Sequence, residues 1–497
     1  MSNYFYEMLP AGELEQLKYI PTVPEFLAWI CEKWSDRPAL SDTVVTYSYS
    51  EMCARIARRR AFLNGLGLVK GDKVAIFEKN SIDAVEMFLA VTSAGYVAIN
   101  LPAQLPAQAI AGCCMKFGVK VLAIRDELKD MAAAVGCKVI SSSSMADEEA
   151  PAAVVDRNDP AAIFFTGGTT GAPKGAILPH RSLMRGSYNG CFAPGNQLDE
   201  GHRYICLLPL SHVFGLIRST MSVLYTGAEW FSAEDMKATI GKMPVIKPTN
   251  LILVPGLCEV LCGLAKLYGP QFLGGSLKMI ISGAATVPPR LMAEFDKLGI
   301  SLLAGYGMTE GANFTSGNAD VKTKPTSVGK IYPEQEVKLV DGEIWFRGDN
   351  VFLGYYGDPE ATRATLTEDG WLKTGDLGRF DEDGFLYIVG RIKNLIILSN
   401  GENVSPESIE EEFYKCPALK DCLVKEENVD GEPVIAIEIL PQMPAFEGKS
   451  WDEIEAFFAK LVSDVNAGMP STHRVSKITV RKEDFKRTGS LKVSRNQ

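Results

Sequence analysis

The strongest constraint on the fold is a recurring alternation. Short runs rich in β-branched and aromatic residues are each followed by a stretch with apolar residues at helical spacing. Strands are expected over 73–77, 96–101, 119–124, 163–166, 204–208, 250–254 and 277–281, with a helix over 82–94 after the first. Such alternation places parallel strands in sheets covered by helices, an α/β architecture. From about residue 343 the texture changes to short strands and turns, and Asp383-Gly384 between two apolar runs predicts a hairpin. Beyond Arg391 a smaller α+β unit is expected. Ser405-Pro406 suits a helix start, with Ile409 and Phe413 on its apolar face. Strands near 419–425, 434–440 and 477–481 and a helix over 451–466 complete that unit. A chain of 497 residues is too long for one core, and the expected division is 1–390 and 391–497.

Chemistry concentrates first at residues 166–175, T-G-G-T-T-G-A-P-K-G. A buried strand ending at Thr166 would empty into a loop where Gly167, Gly168 and Gly171 let backbone N–H groups approach an anion. Thr166, Thr169 and Thr170 add hydroxyl donors, and Lys174 adds a charge. This is phosphate-handling composition, although glycine- and threonine-rich surface turns also look like it. A P-loop is excluded because Pro173 precedes Lys174 and Gly175 follows it. A dinucleotide fingerprint is excluded because Gly305-Tyr306-Gly307-Met308-Thr309 is followed by Glu310 where the third glycine belongs.

With a net charge of −10, nucleic acid and anionic membranes are poor main partners. No leader-like segment opens the sequence, and the apolar window 251–265 is interrupted by Pro255, Gly256 and Glu259, so a cytoplasmic protein with no integral membrane segment is expected. The eleven cysteines, lacking a C-x-x-C and accompanied by four histidines, read as buried thiols rather than metal ligands.

The phosphate-type loop gains meaning from motifs that follow it in order: Ser282-Gly283-Ala284-Ala285, then Gly305-Tyr306-Gly307-Met308-Thr309-Glu310, Thr374-Gly375-Asp376, Gly390-Arg391-Ile392-Lys393, and residues 487–495, R-T-G-S-L-K-V-S-R. Together these resemble the adenylate-forming (AMP-binding) superfamily of acyl- and aryl-CoA ligases, luciferases and peptide-synthetase adenylation domains, over nearly the whole chain. The resemblance implies that family's fold, with a mobile C-terminal domain acting as a lid. It also implies activation of a carboxylic acid by ATP to acyl-AMP, then transfer to the thiol of coenzyme A, or alternatively to a carrier-protein pantetheine. Fatty acid metabolism is one such setting. A catalytically silent nucleotide-binding protein is a third reading, disfavoured because counterparts of the catalytic residues are present.

In the resemblance Lys174 and the glycine-rich loop serve the β- and γ-phosphates, Glu310 anchors Mg²⁺, and Gly283, Ala284 and Ala285 wall the adenine against Tyr306. Asp376 takes the ribose hydroxyls with Arg391 assisting. Lys492 is the catalytic lysine, Lys393 the hinge, and Gly401 lines the pantetheine tunnel. Thr166 and His212 join the reacting site, His212 as a gate rather than a base. Two departures stand out. Gly167 replaces a commoner serine, and Leu491 replaces the glycine usual before the lysine. The stretch 474–495 carries eight Lys/Arg against Glu483 and Asp484, which suits a lid over polyphosphate. The segment 207–215, L-L-P-L-S-H-V-F-G, resembles the opening of the acid pocket. No acidic residue lies between Ser211 and Ile217, so an α-amino acid would bury its ammonium without a counter-charge. A fatty or aryl acid fits better, with Phe214, Ile217 and Met221 as either pocket or core.

Overall fold

The structure is a computed structural model describing residues 4–166, 174–398, 402–429, 432–487 and 493–495. Its first sheet has seven strands in the order Gly354–Tyr355, Lys174–Pro179, Pro160–Thr166, Val97–Leu101, Lys73–Phe77, Val119–Ile124 and Lys138–Ser141. From Pro160–Thr166 to Lys138–Ser141 the pairing is parallel; the other end turns antiparallel. A second sheet of nine strands is parallel through its centre, where Arg203–Cys206, Asn250–Leu253, Met279–Ser282 and Ser301–Met308 lie side by side. Its two edges are antiparallel hairpins.

The helix Ile82–Ser93 shows why these sheets can pack together. Every residue in it except Asp83 is buried. A helix buried on nearly every side, its one inward carboxylate Glu86 paired with Arg55 and Arg59, has no solvent face to offer and belongs between layers. Ser81 caps its start by accepting from the Ala84 amide at 3.0 Å.

The hairpin expected at Asp383-Gly384 forms between Leu372–Phe380 and Leu386–Arg391. It is half of an antiparallel four-stranded sheet with Glu336–Val340 and Glu343–Arg347. A separate core begins at Ile396 and takes in Phe413, Ile437, Phe458 and Val475. There Leu419–Val429 pairs antiparallel with Glu432–Pro441, which pairs parallel with Lys477–Val480. Helices Pro406–Tyr414 and Trp451–Ala467 complete this small α+β unit. Ser405 ties it to the hairpin by donating to the Val389 carbonyl at 2.7 Å. A Cβ on Gly390 would collide with that serine side chain. Arg290, paired with Glu259, adds a 3.4 Å contact to the Lys420 carbonyl.

One expectation about cysteine is corrected. Cys31 and Cys53 are joined in a disulfide between helices Val23–Lys33 and Tyr49–Asn64. The packing of these helices sets their Cα atoms 6.3 Å apart, within bridging reach. Neither spacing nor composition signalled that pair. The other nine cysteines are free thiols, most of them buried. Among the described residues no helix is long and apolar enough to cross a membrane.

Candidate active site

The site is built where strands of both large sheets end. Thr166 is the last residue of Pro160–Thr166, and it pairs across the antiparallel ladder with Lys174, the first residue of the returning strand. The glycine-rich loop therefore leaves and re-enters the sheet at one pair. Gly167, Gly168, Thr169, Thr170 and Gly171 lie outside the described residues, as do Gly401 and Lys492.

Glu310 stands at the tip of a hairpin. Ser301–Met308 ends in a single turn, Thr309–Gly311, and the chain reverses through Ala312 and Asn313, both at positive φ, into Asn313–Asn318. Gly307 is required for the reversal, because a Cβ there would run into the Asn313 carbonyl. The Glu310 backbone carbonyl accepts from the Phe352 amide at 2.9 Å. Its carboxylate is buried and accepts from the Tyr355 hydroxyl at 2.6 Å. Burial first, and the Glu310 charge second, push the Tyr355 phenol well above the ordinary tyrosine range, so it stays a donor. The Lys174 ammonium lies 5.0 Å over the Tyr355 ring. Lys174, Tyr355 and Glu310 thus form one group.

On the other side of the hairpin, Tyr306 donates to Asp376 Oδ2 at 2.7 Å, and Arg391 Nε meets Asp376 Oδ1 at 2.7 Å. Asp376 and Arg391 are cross-strand partners in the hairpin sheet. Gly375 at φ +69° turns the chain so that the Thr374 hydroxyl can accept from the Asp376 amide at 3.0 Å. Tyr306 is half-buried, with its hydroxyl held by Asp376. Lys393 follows on the exposed turn, its ammonium lowered by desolvation and by the neighbouring Arg391.

Gly283 and Gly305 have a second reason to be glycine. The ring of Phe314 fills the space where either Cβ would stand. Ala284 sits at φ +68°, a strained conformation for an L-residue, beside half-buried Ala285. Phe314 also packs against Phe214, ring centroids 5.0 Å apart, which brings the 207–215 segment to this notch. That segment leads into a π-helix, Phe214–Met221, buried throughout. A π-helical stretch is rare and often marks a functional site. Phe214, Ile217 and Met221 are all buried within it. The ring of His212 is exposed by area yet closely surrounded, and desolvation lowers its imidazole pKa. No hydrogen bond among the described residues ties its ring to Glu310 or Asp376.

Sequence reasoning missed three members of this arrangement. Tyr355 carried no signal, being one aromatic in a turn remote from the motifs. Phe314 was hidden as an ordinary core residue. Arg218 is legible in the sequence as a lone cation in an apolar run, directly after Ile217.

Residues 27–356 match the model described as AMP-binding enzyme, and residues 393–497 match that of the AMP-binding enzyme C-terminal domain. The chain is 29% identical over 451 residues to 4-coumarate–CoA ligase-like 6 of Arabidopsis thaliana, covering 81% of this chain and 79% of that protein. It is 30% identical over 397 residues to feruloyl-CoA synthase of an Amycolatopsis species, covering 76% and 80%. ATP-bound MatB from Rhodopseudomonas palustris is similar at a TM-score of 0.82 and 26% identity, over 96% of this chain and 98% of that one. The chain belongs to the AMP-binding enzyme family, and its enzyme class is that of the acid–thiol ligases.

Proposed function

We propose that the protein joins a fatty or aryl carboxylic acid to ATP, releasing pyrophosphate, and then passes the acyl group from acyl-AMP to the thiol of coenzyme A. The single observation that carries this reading is the pair of clusters flanking one hairpin: Tyr306–Asp376–Arg391 on one side and Lys174–Tyr355–Glu310 on the other.

The first cluster suits a nucleoside. Asp376 would accept the ribose hydroxyls, the Tyr306 face would stack on the base, and the small residues of the Gly283-Ala284-Ala285 turn would wall it, with the Phe314 ring seated behind Gly283. The second suits a polyphosphate, with Lys174 supplying charge and Thr166 a hydroxyl where the loop begins. A magnesium ion fits this end. Glu310 is a buried carboxylate with one oxygen taken by Tyr355, and among the described residues its other oxygen accepts no protein hydrogen bond. Mg²⁺ prefers one or two carboxylates with phosphate oxygens, and when bound it would offset the triphosphate charge. Glu310 would hold it and Tyr355 would orient Glu310.

In the first half-reaction a carboxylate oxygen bonds to the α-phosphorus as the bond to the pyrophosphate oxygen breaks. Two anions must meet, so oriented donors and fixed positive charge are the main requirement. Lys492 is proposed to neutralise this transition state. In the second, the thiol gives up its proton to solvent, its sulfur bonds to the acyl carbon, and the bond from that carbon to the phosphate oxygen breaks as AMP leaves with the electron pair. The proposed units are 1–390 and 391–497, turning about Lys393 so that Gly401 can line the thiol's approach.

The test is pyrophosphate release and hydroxylamine trapping over a panel of acids, followed by thioester formation with coenzyme A. Fatty or aryl acids should support both and free α-amino acids neither. Amino-acyl adenylates trapped as fast as the best carboxylic acid would refute the substrate class.

A further inference from the structure

Arg218 lies on the π-helix Phe214–Met221 and is 3% exposed. Of its five N–H donors, one from Nη1 meets the Gly190 carbonyl at 2.6 Å, and the buried Nε meets no acceptor. Among the described residues no carboxylate pairs with it. Gly190 ends the helix His180–Asn189, whose terminus offers about half a negative charge. One carbonyl and half a charge do not compensate a buried guanidinium, and buried charges are normally paired.

Arg218 lines a cavity of about 20 Å³, enough for one water. Phe192, Ile281, Leu303, Phe314 and Tyr332 share its lining, and no acidic residue does. Leu303 and Ala304 directly precede Gly305, and Ile281 lies two residues before Gly283. At a strand rise of about 3.3 Å per residue, the cavity is within roughly 10 Å of the nucleotide end of these strands. Phe314 stands between, its ring in the notch between Gly283 and Gly305.

The geometry points to Arg218 as the specificity-determining residue for the acid, whose far end carries a second carboxylate that pairs with the guanidinium. This rests on the ligase reading and narrows it from fatty or aryl acids to those with an anionic tail. A carboxylate matches the planar fork of arginine with two parallel hydrogen bonds, which a neutral acceptor does not. The tail reaches Arg218 once the Phe314 ring turns aside, a side-chain adjustment of the kind common on binding.

The experiment measures kcat/KM for pyrophosphate release by the full chain with length-matched pairs: hexanoate against adipate, octanoate against suberate, and 3-phenylpropanoate against its para-carboxy analogue. The ω-carboxylate member of at least one pair should be preferred by about tenfold or more, since a site built for a polar group rejects the analogue lacking it. R218M should invert that preference, and R218K, which keeps the charge but loses the fork, should retain only part of it. Plain monoacids winning every pair overturn the inference while leaving the ligase reading intact. So does an R218M protein with a lowered melting temperature and an unchanged acid ratio, which would make Arg218 only a cap on the helix ending at Gly190. If R218M does not fold, the wild-type ratios decide. If no acid of either kind releases pyrophosphate, the ligase reading itself fails and the inference with it.

Discussion

Among single residues, Glu310 and Tyr355 separate two roles that a motif cannot distinguish. Glu310→Ala removes the carboxylate proposed to hold the metal. Pyrophosphate release should fall by about 10²- to 10³-fold, the scale of a lost electrostatic stabiliser. Tyr355→Phe leaves that carboxylate in place and removes one donor to a charged acceptor, an effect of about 1.5–3 kcal/mol. The Tyr355→Phe enzyme should therefore need more Mg²⁺ for half-maximal rate yet approach normal turnover at saturation. A titration of rate against Mg²⁺ for both variants checks this. Equal, Mg²⁺-independent losses would mean that Tyr355 does not act through Glu310. Only half of this pair was legible beforehand. Glu310 was marked by G-Y-G-M-T-E, whereas Tyr355 arrives through tertiary packing.

Among elements, the helix His180–Asn189 carries a pH dependence of its own. His180 is fully buried, accepts at Nδ1 from the Val23 amide, and has no partner for Nε2. Burial lowers its imidazole to about 4; facing it, Asp159 pulls the value up slightly and Lys70 pulls it down. The unfolded chain takes up this proton near pH 6.5 while the folded chain resists until about 4. Stability from this group is thus complete above 6.5 and is lost as pH falls toward 4, by up to roughly 3 kcal/mol. Urea midpoints between pH 7 and 4.5 should show the decline, and His180→Gln should flatten it. A slope unchanged in His180→Gln would assign the decline to other groups.

Element-level order was the most readable part of the sequence. Lys73–Phe77 and Val119–Ile124 form as expected from apolar runs, and Leu372–Phe380 with Leu386–Arg391 form as expected from Asp-Gly turn chemistry. What periodicity could not tell was direction at the edges. Lys174–Pro179 returns antiparallel because its loop is too short for a crossover helix. The π-helical geometry of Phe214–Met221 was equally hidden, since an i to i+5 pattern over eight residues looks like any apolar helix.

At the scale of the whole molecule, the two proposed units divide the two half-reactions. Lys492→Ala should lose acyl-AMP formation but still convert supplied acyl-AMP to thioester. Lys393→Pro should release pyrophosphate and fail at thioester formation. Assaying each half separately on purified variants decides; equal damage to both halves in Lys492→Ala would contradict the division. The orientation seen here has a fastening of its own. Ser405 sits against Gly390 with its hydroxyl on the Val389 carbonyl, so the small unit lodges in a seat that only a residue without a side chain can form. If the units alternate, this seat is a detent that weights how long the enzyme dwells in one posture. A methyl group at position 390 would shift that weighting while touching no group that meets a substrate.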